Sequence, residues 1–304
     1  MNSVGAAVSD DVSAIVAKLL KIPDSSRSFR VSEPAADAEF RIGRDLQAAL
    51  RVVGLPCRRT GEGVHFDGTD LLNVALHLDI GSRQRRVLDW WARELCRPYG
   101  DLHSYQVDYV ASCPGPHRCK DCEFSLLRPS RSRLRVQRSL TEPTVVHTEL
   151  FMLARVWPQF PAKLLELIDD FSWIKYLRLP DPLCWDTEFI LKRGVGDCSG
   201  FGRILAAEGR ARGLESRFCY GRSLTPPFSA AHYWAEFRID GVWVPVDPLL
   251  IDALVEWRIL DPALWGRNSS LGAIMGRLAN RFRPLALHNG GPAPIRLRVY
   301  HSDS

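Results

Sequence analysis

Residues 194–213 read GVGDCSGFGRILAAEGRARG, and the interpretation of this stretch decides the fold. Gly194 and Gly196 let the backbone turn tightly ahead of Cys198. The run from Ser199 to Arg212 is rich in Ala and Arg, and Phe201, Ile204, Leu205 and Glu208 recur at helical spacing. Gly213 then supplies a stop just past the last helical residue. Cys198 is therefore expected at the N-terminus of a helix. Unpaired N–H groups and the positive end of the helix dipole favour a thiolate over a thiol at such a position.

Two further stretches follow in order. AAHYWAEF, residues 230–237, starts an alternation in which Tyr233, Ala235, Phe237 and Ile239 interleave with Trp234, Glu236 and Arg238, the period of a strand. Asp240 and Gly241 then form a two-residue hairpin turn. The return strand VWVPV, residues 242–246, leads directly to Asp247. With Ile239 opposite Val242, His232 faces residue 249 in ideal register, two residues beyond Asp247. A diagonal carboxylate reaches the imidazole if the return strand bulges at Pro245. Taken singly, a Cys at a helix start, a His before an aromatic strand and an Asp before Pro are common structural residues. Their succession, at separations of 34 and then 15 residues and in these local settings, is the arrangement of a thiol nucleophile, a base and the group that orients the base.

GDCSGFGRILAAEGRARGLESRF, HYWAEF and GVWVPVDP resemble the core motifs of the transglutaminase-like superfamily of papain-type thiol enzymes, over about residues 185–250. The resemblance implies an α+β fold in which the helix carrying the nucleophile packs on an antiparallel sheet. It implies that Cys198 is the nucleophile, His232 the general base and acid, and Asp247 the orienting carboxylate. The expected chemistry is acyl transfer through a thioester acyl-enzyme. The backbone N–H of Cys198 is the first expected oxyanion donor, with the indole of Trp185, or of Trp173, as a second. The superfamily includes cross-linking acyltransferases, proteases, peptide:N-glycanases, amide-forming enzymes and inactive members. Amide formation by acyl transfer is the favoured reading, with a cysteine peptidase or amidase and a non-catalytic binding module as the alternatives.

The rest of the chain is read more coarsely. Its 304 residues, 46% of them apolar, suit a globular enzyme of one or two domains. No run of eighteen apolar residues occurs, so no membrane span is expected. The N-terminus lacks a basic start followed by an apolar stretch, and the eight Cys then read as reduced thiols of a cytoplasmic protein. Residues 1–140 are expected to form an N-terminal accessory region and 141–304 the catalytic domain. Within them, residues 39–53, 83–96, 145–156 and 161–173 read as helices, and the alternation within 123–140 as a strand.

The segment CPGPHRCKDC places Cys113, Cys119 and Cys122 near His117, with Cys96 or His103 upstream as a fourth ligand. Cys119 and Cys122 have the two-residue gap of zinc sites, but a matching second pair is missing, so loop thiols without metal are the favoured reading. That missing pair also counts against a peptide:N-glycanase, which carries two close Cys pairs. No acidic cluster has calcium-ligand spacing, and no cofactor is implied. The net charge of +5 is modest, but Arg128, Arg131, Arg133, Arg135 and Arg138 form one cluster and Arg267, Arg277, Arg281 and Arg283 another. A solvated basic face is the simple reading. An acidic acyl-carrier protein is the partner of interest, and nucleic acid is not expected, because stacking aromatics are not interleaved with these arginines.

Overall fold

The computed structural model describes the backbone of residues 2–97, 100–113, 122–127, 133–138, 143–293 and 295–302. The chain divides into two compact units, each assembled from three separate segments.

The first unit comprises residues 1–92, 165–204 and 248–269. Helices Asn2–Leu19, Glu33–Phe40, Arg44–Val52 and Gly68–His77 surround a small antiparallel sheet in which Gly63–Phe66 lies between Val31–Ser32 and Cys57–Thr60. Ile15, Leu19, Ile42, Leu50, Phe66 and Leu71 are fully buried here. The single helix expected over 39–53 is broken. Arg41 closes the first helix in the left-handed conformation at φ 61°, Ile42 is buried in the break, and Gly43 starts the second helix. The apolar stretch after residue 70 is helical because Asp67 caps it, accepting from the N–H groups of Thr69 at 2.8 Å and Asp70 at 3.2 Å. Arg83–Leu95 is helical as expected. Helices Thr187–Arg193 and Pro248–Glu256 and the parallel pair of Lys175–Tyr176 with Val195–Gly196 complete the unit.

The second unit comprises residues 93–164, 205–247 and 270–304. Its main element is a seven-stranded antiparallel sheet. Strands run in the order Met275–Ala279, Ser216–Thr225, Phe228–Ile239, Ile295–His301, Leu102–Ala111 and Thr144–Ala154, with Val242–Val246 also paired to Phe228–Ile239. A four-stranded sheet, Gly291–Ala293, Ala286–His288, Cys122–Leu127 and Arg133–Arg138, supplies Phe124, Leu126 and Ala286 to a core shared with Tyr105, Val107, Tyr109, Leu224 and Val299 of the large sheet.

One expected helix is corrected. Residues 144–154 form a strand, paired with Leu102–Ala111 from Leu102↔Ala154 to Ala111↔Thr144. Val146 and Phe151 point into the core, while Val145, Leu150 and Met152 are exposed. Apolar residues on both faces hid the period of two. Burial and ladder pairing decide the outcome, since one buried large apolar side chain contributes about 1.5–3 kcal/mol against a strand-propensity scale spanning about 1 kcal/mol. Within 123–140, where one strand is expected, Cys122–Leu127 and Arg133–Arg138 form two strands paired antiparallel, and the helix expected over 161–173 spans Ala162–Asp170.

The helix Cys198–Ala211 begins in the first unit and ends in the second. Its C-terminal half packs on the large sheet within the second unit: a Cβ on Gly209 would stand 2.5 Å from the Phe237 ring, and Ser216 Oγ donates to the Ala206 carbonyl at 2.7 Å. The architecture is α+β, with the Cys198 helix laid on an antiparallel sheet.

Candidate functional site

Cys198 is the first residue of its helix, and the turn before it is built from the glycines the sequence singles out. Gly194 ends the helix Thr187–Arg193 at φ 65°, with the Trp173 ring so close that a Cβ would stand 2.9 Å from it. Carbonyls of Gly194 and Gly196 accept from the N–H groups of Lys175 at 3.0 Å and Leu177 at 2.8 Å. Asp197 caps the Cys198 helix: its carbonyl accepts from Phe201 N–H at 3.0 Å, and its Oδ1 accepts from Ser199 N–H at 3.0 Å and from the Ser199 hydroxyl. With Ser199 N–H engaged by this cap, the Cys198 N–H belongs to the first turn, whose donors have no intrahelical partner. That is the donor the sequence nominates for an oxyanion.

Asp197 is buried, and burial raises its carboxyl above the ordinary range, opposed by the Ser199 hydrogen bond and the Arg178 charge. Arg178 is held more firmly protonated, by Tyr176 first, with Cys198 and Asp197 contributing through their charges. Its backbone is fixed by the fully buried Asn73, whose amide donates to the Arg178 carbonyl at 2.9 Å while its Oδ1 accepts Arg178 N–H at 2.8 Å. Sequence reasoning missed Asp197, Arg178 and Asn73. An Asp immediately before a helix is a legible cap signal, whereas Asn73 lies 105 residues from Arg178 and leaves no local pattern.

His232 and Asp247 lie in the second unit and meet there. The hairpin has the expected register, with Ile239 opposite Val242 and Ala235 opposite Val246, and Asp240 and Gly241 both take positive φ. The bulge expected at Pro245 is absent, because Pro245 pairs in register with Glu236. The Asp247 carboxylate reaches the ring regardless, its Oδ2 2.7 Å from His232 Nε2, with both side chains buried. Trp234 stacks near the imidazole at 6.1 Å between ring centroids and 14° between planes. The Trp234 indole donates to Glu236 Oε1 at 3.0 Å, and Arg217 holds Glu236 Oε2 through Nε at 2.7 Å. Gly221, the cross-strand partner of His232, is required by close packing, since a Cβ would stand 2.2 Å from the Gly276 carbonyl.

The remaining sequence candidates are placed as follows. Trp185 is half-buried in the turn Leu183–Trp185, and Trp173 is 48% exposed over Gly194. Cys113 packs against the Tyr105–Tyr109 core cluster, and Cys122 begins the strand Cys122–Leu127. His117 and Cys119 lie outside the described residues, as do Arg128 and Arg131. Arg133, Arg135 and Arg138 fall on one strand. In the C-terminal arginine cluster, Arg267 pairs with Asp252 at 2.7 Å and Arg277 approaches Glu236 at 3.8 Å, whereas Arg281 and Arg283 are exposed. Among the described residues no helix is long and apolar enough to cross a membrane.

Residues 163–248 match the family model of the transglutaminase-like superfamily. A solved structure of a candidate cysteine protease from Cytophaga hutchinsonii aligns with 67% of this chain and 91% of its own, at 13% identity and a TM-score of 0.26. No curated protein matches the chain. The stretch similar to the transglutaminase-like superfamily contains Cys198, His232 and Asp247, and the likeness supports a cysteine-dependent catalytic function in general terms.

Proposed function

We propose that the protein is a thiol acyltransferase that forms an amide by passing an acyl group through Cys198 to an amine. The observation that carries this reading is the buried 2.7 Å contact of His232 Nε2 with Asp247 Oδ2. A carboxylate accepts only, so Nε2 carries the proton and Nδ1 is the nitrogen assigned to proton transfer. Cys198 belongs to the other unit, and its assignment to this pair rests on the resemblance of the sequence motifs that carry the three residues.

In the first half-reaction His232 takes the Cys198 proton, Sγ attacks the acyl carbon, and the bond to the leaving group breaks as His232 returns the proton to it. The oxyanion formed on the way is received by the Cys198 N–H at the helix start. In the second half an amine nitrogen attacks the thioester carbon, gives its proton to the His232–Asp247 pair, and displaces the thiolate, which regains its proton. Both members of the pair are 4% exposed, and a base shielded from solvent suits transfer to an amine over hydrolysis. An acidic acyl-carrier protein is the proposed donor partner, docking on exposed arginines such as Arg281 and Arg283.

Intact-protein mass spectrometry tests this directly. Wild type incubated with carrier-protein thioesters is expected to gain the acyl mass, and Cys198→Ala to gain nothing. Added amine should discharge the adduct faster than water does. A gain from peptide amides discharged by water would replace the transferase with a hydrolase, and no gain from any donor would remove the catalytic reading.

A further inference from the structure

We infer that Glu94, His103 and His301 form a binding site for one divalent transition ion of the zinc class, held within the second unit and independent of the thiol chemistry. The three residues come from a helix end and two neighbouring strands. Glu94 is in the last turn of Arg83–Leu95, His103 is on Leu102–Ala111, and His301 ends Ile295–His301. His301 pairs with Tyr105, so His103 is its diagonal neighbour on the same face.

The spacing suits one ion. All three residues offer a ligand atom within 4.8 Å of the others. His103 Nε2 stands 3.3 Å from His301 Nδ1 and 4.0 Å from Glu94 Oε2, and His301 Nε2 stands 3.4 Å from Glu94 Oε1. Ligands on tetrahedral zinc at about 2.0–2.1 Å are about 3.3–3.4 Å apart, so side-chain rotations that draw one nitrogen of each histidine and one Glu94 oxygen inward from the 4.8 Å limit separate this arrangement from coordination. Two imidazoles and one carboxylate are donors for zinc and its first-row neighbours, and three protein ligands leave a fourth position for water.

Protonation and outer contacts agree. Arg97 Nη1 contacts His301 Nε2 and lies 3.4 Å from Glu94 Oε1. A guanidinium only donates, so His301 Nε2 offers its lone pair, its Nδ1–H points to His103 Nε2, and that nitrogen offers a lone pair too. The Tyr105 hydroxyl lies 3.3 Å from Glu94 Oε2 and orients the carboxylate. A cation, Arg97, already sits against the acceptors, and its side chain is 40% exposed and can swing to solvent as the ion enters.

Titration of the full chain with Co2+ tests the site. Wild type is expected to bind one equivalent with visible d–d absorption and no thiolate charge-transfer band, and Zn2+ should displace it. His103→Ala and His301→Ala, each checked for folding by circular dichroism, are expected to lose affinity by about 100-fold or more, because removing a ligand exceeds the loss from an outer contact. Arg97→Gln should bind more tightly. Absence of d–d absorption in wild type, a thiolate charge-transfer band, or undiminished binding in either histidine variant would overturn the inference.

Discussion

Cys184 and Cys219 are internal controls for Cys198. Burial raises both thiols to about 12, with the Asp197 charge adding at Cys184 and the Glu236 charge at Cys219. Both therefore stay protonated at neutral pH and react poorly with electrophiles. Iodoacetamide at neutral pH, followed by peptide mapping, is expected to mark Cys198 ahead of these two, and His232→Ala should slow that labelling. Earlier labelling of Cys184 would place the reactive thiol on the wrong side of Ser199. At this scale the sequence was most legible: Cys198, His232 and Asp247 each announce their setting through adjacent Gly, aromatic or Pro residues. Asn73 and Arg178 do not, because the contact that matters is made between distant parts of the chain.

The helix carrying Cys198 depends on close packing at its first turn. A Cβ on Gly200 would stand 2.1 Å from Ile190 Cδ1 and 2.6 Å from the Cys184 carbonyl. Gly→Ala in a helix is ordinarily worth about 1 kcal/mol of added stability, but overpacking against a backbone carbonyl costs about 1–3 kcal/mol. Gly200→Ala is expected to lower the urea midpoint of unfolding. Gly81→Ala, which meets nothing within 4 Å, should leave it unchanged. Elements differ in how far sequence discloses them. The hairpin after His232 was readable to its register, because Asp240 and Gly241 fix the turn and the turn fixes the pairing. Residues 144–154 were not, because exposed Leu150 and Met152 blur the alternation and the ladder with Leu102–Ala111 settles the matter.

Acid titration probes the molecule as a whole. Burial first, and then the Lys18 charge, lower His77 from 6.5 to about 4. Between those values the unfolded chain takes up a proton that the folded chain refuses, so this contribution is complete above pH 6.5 and is lost as pH falls toward 4. His103 acts in the same direction. Asp70 opposes them: burial outweighs its 2.6 Å contact with Arg27 and raises it from 3.8 to about 6, so the folded state gains stability as pH falls through that interval. His77→Phe, which keeps an aromatic ring against Trp257, is expected to flatten the decline in unfolding free energy between pH 6.5 and 4, measured by urea titration at several pH values. An unchanged slope would show that His77 titrates normally in the folded chain.

Sequence by itself determined the local chemistry of this protein, the helix start at Cys198 and the hairpin from His232 to Asp247, because turn residues and side-chain periodicity act over a few residues, and the resemblance those motifs carry implied the α+β class. Only the tertiary structure decided the assembly of each unit from three separate segments, the strand at 144–154, the Asn73 support of Arg178 and the meeting of Glu94, His103 and His301. Those outcomes depend on burial and on pairing between residues far apart in the chain, and no local pattern encodes which distant partner a residue will find.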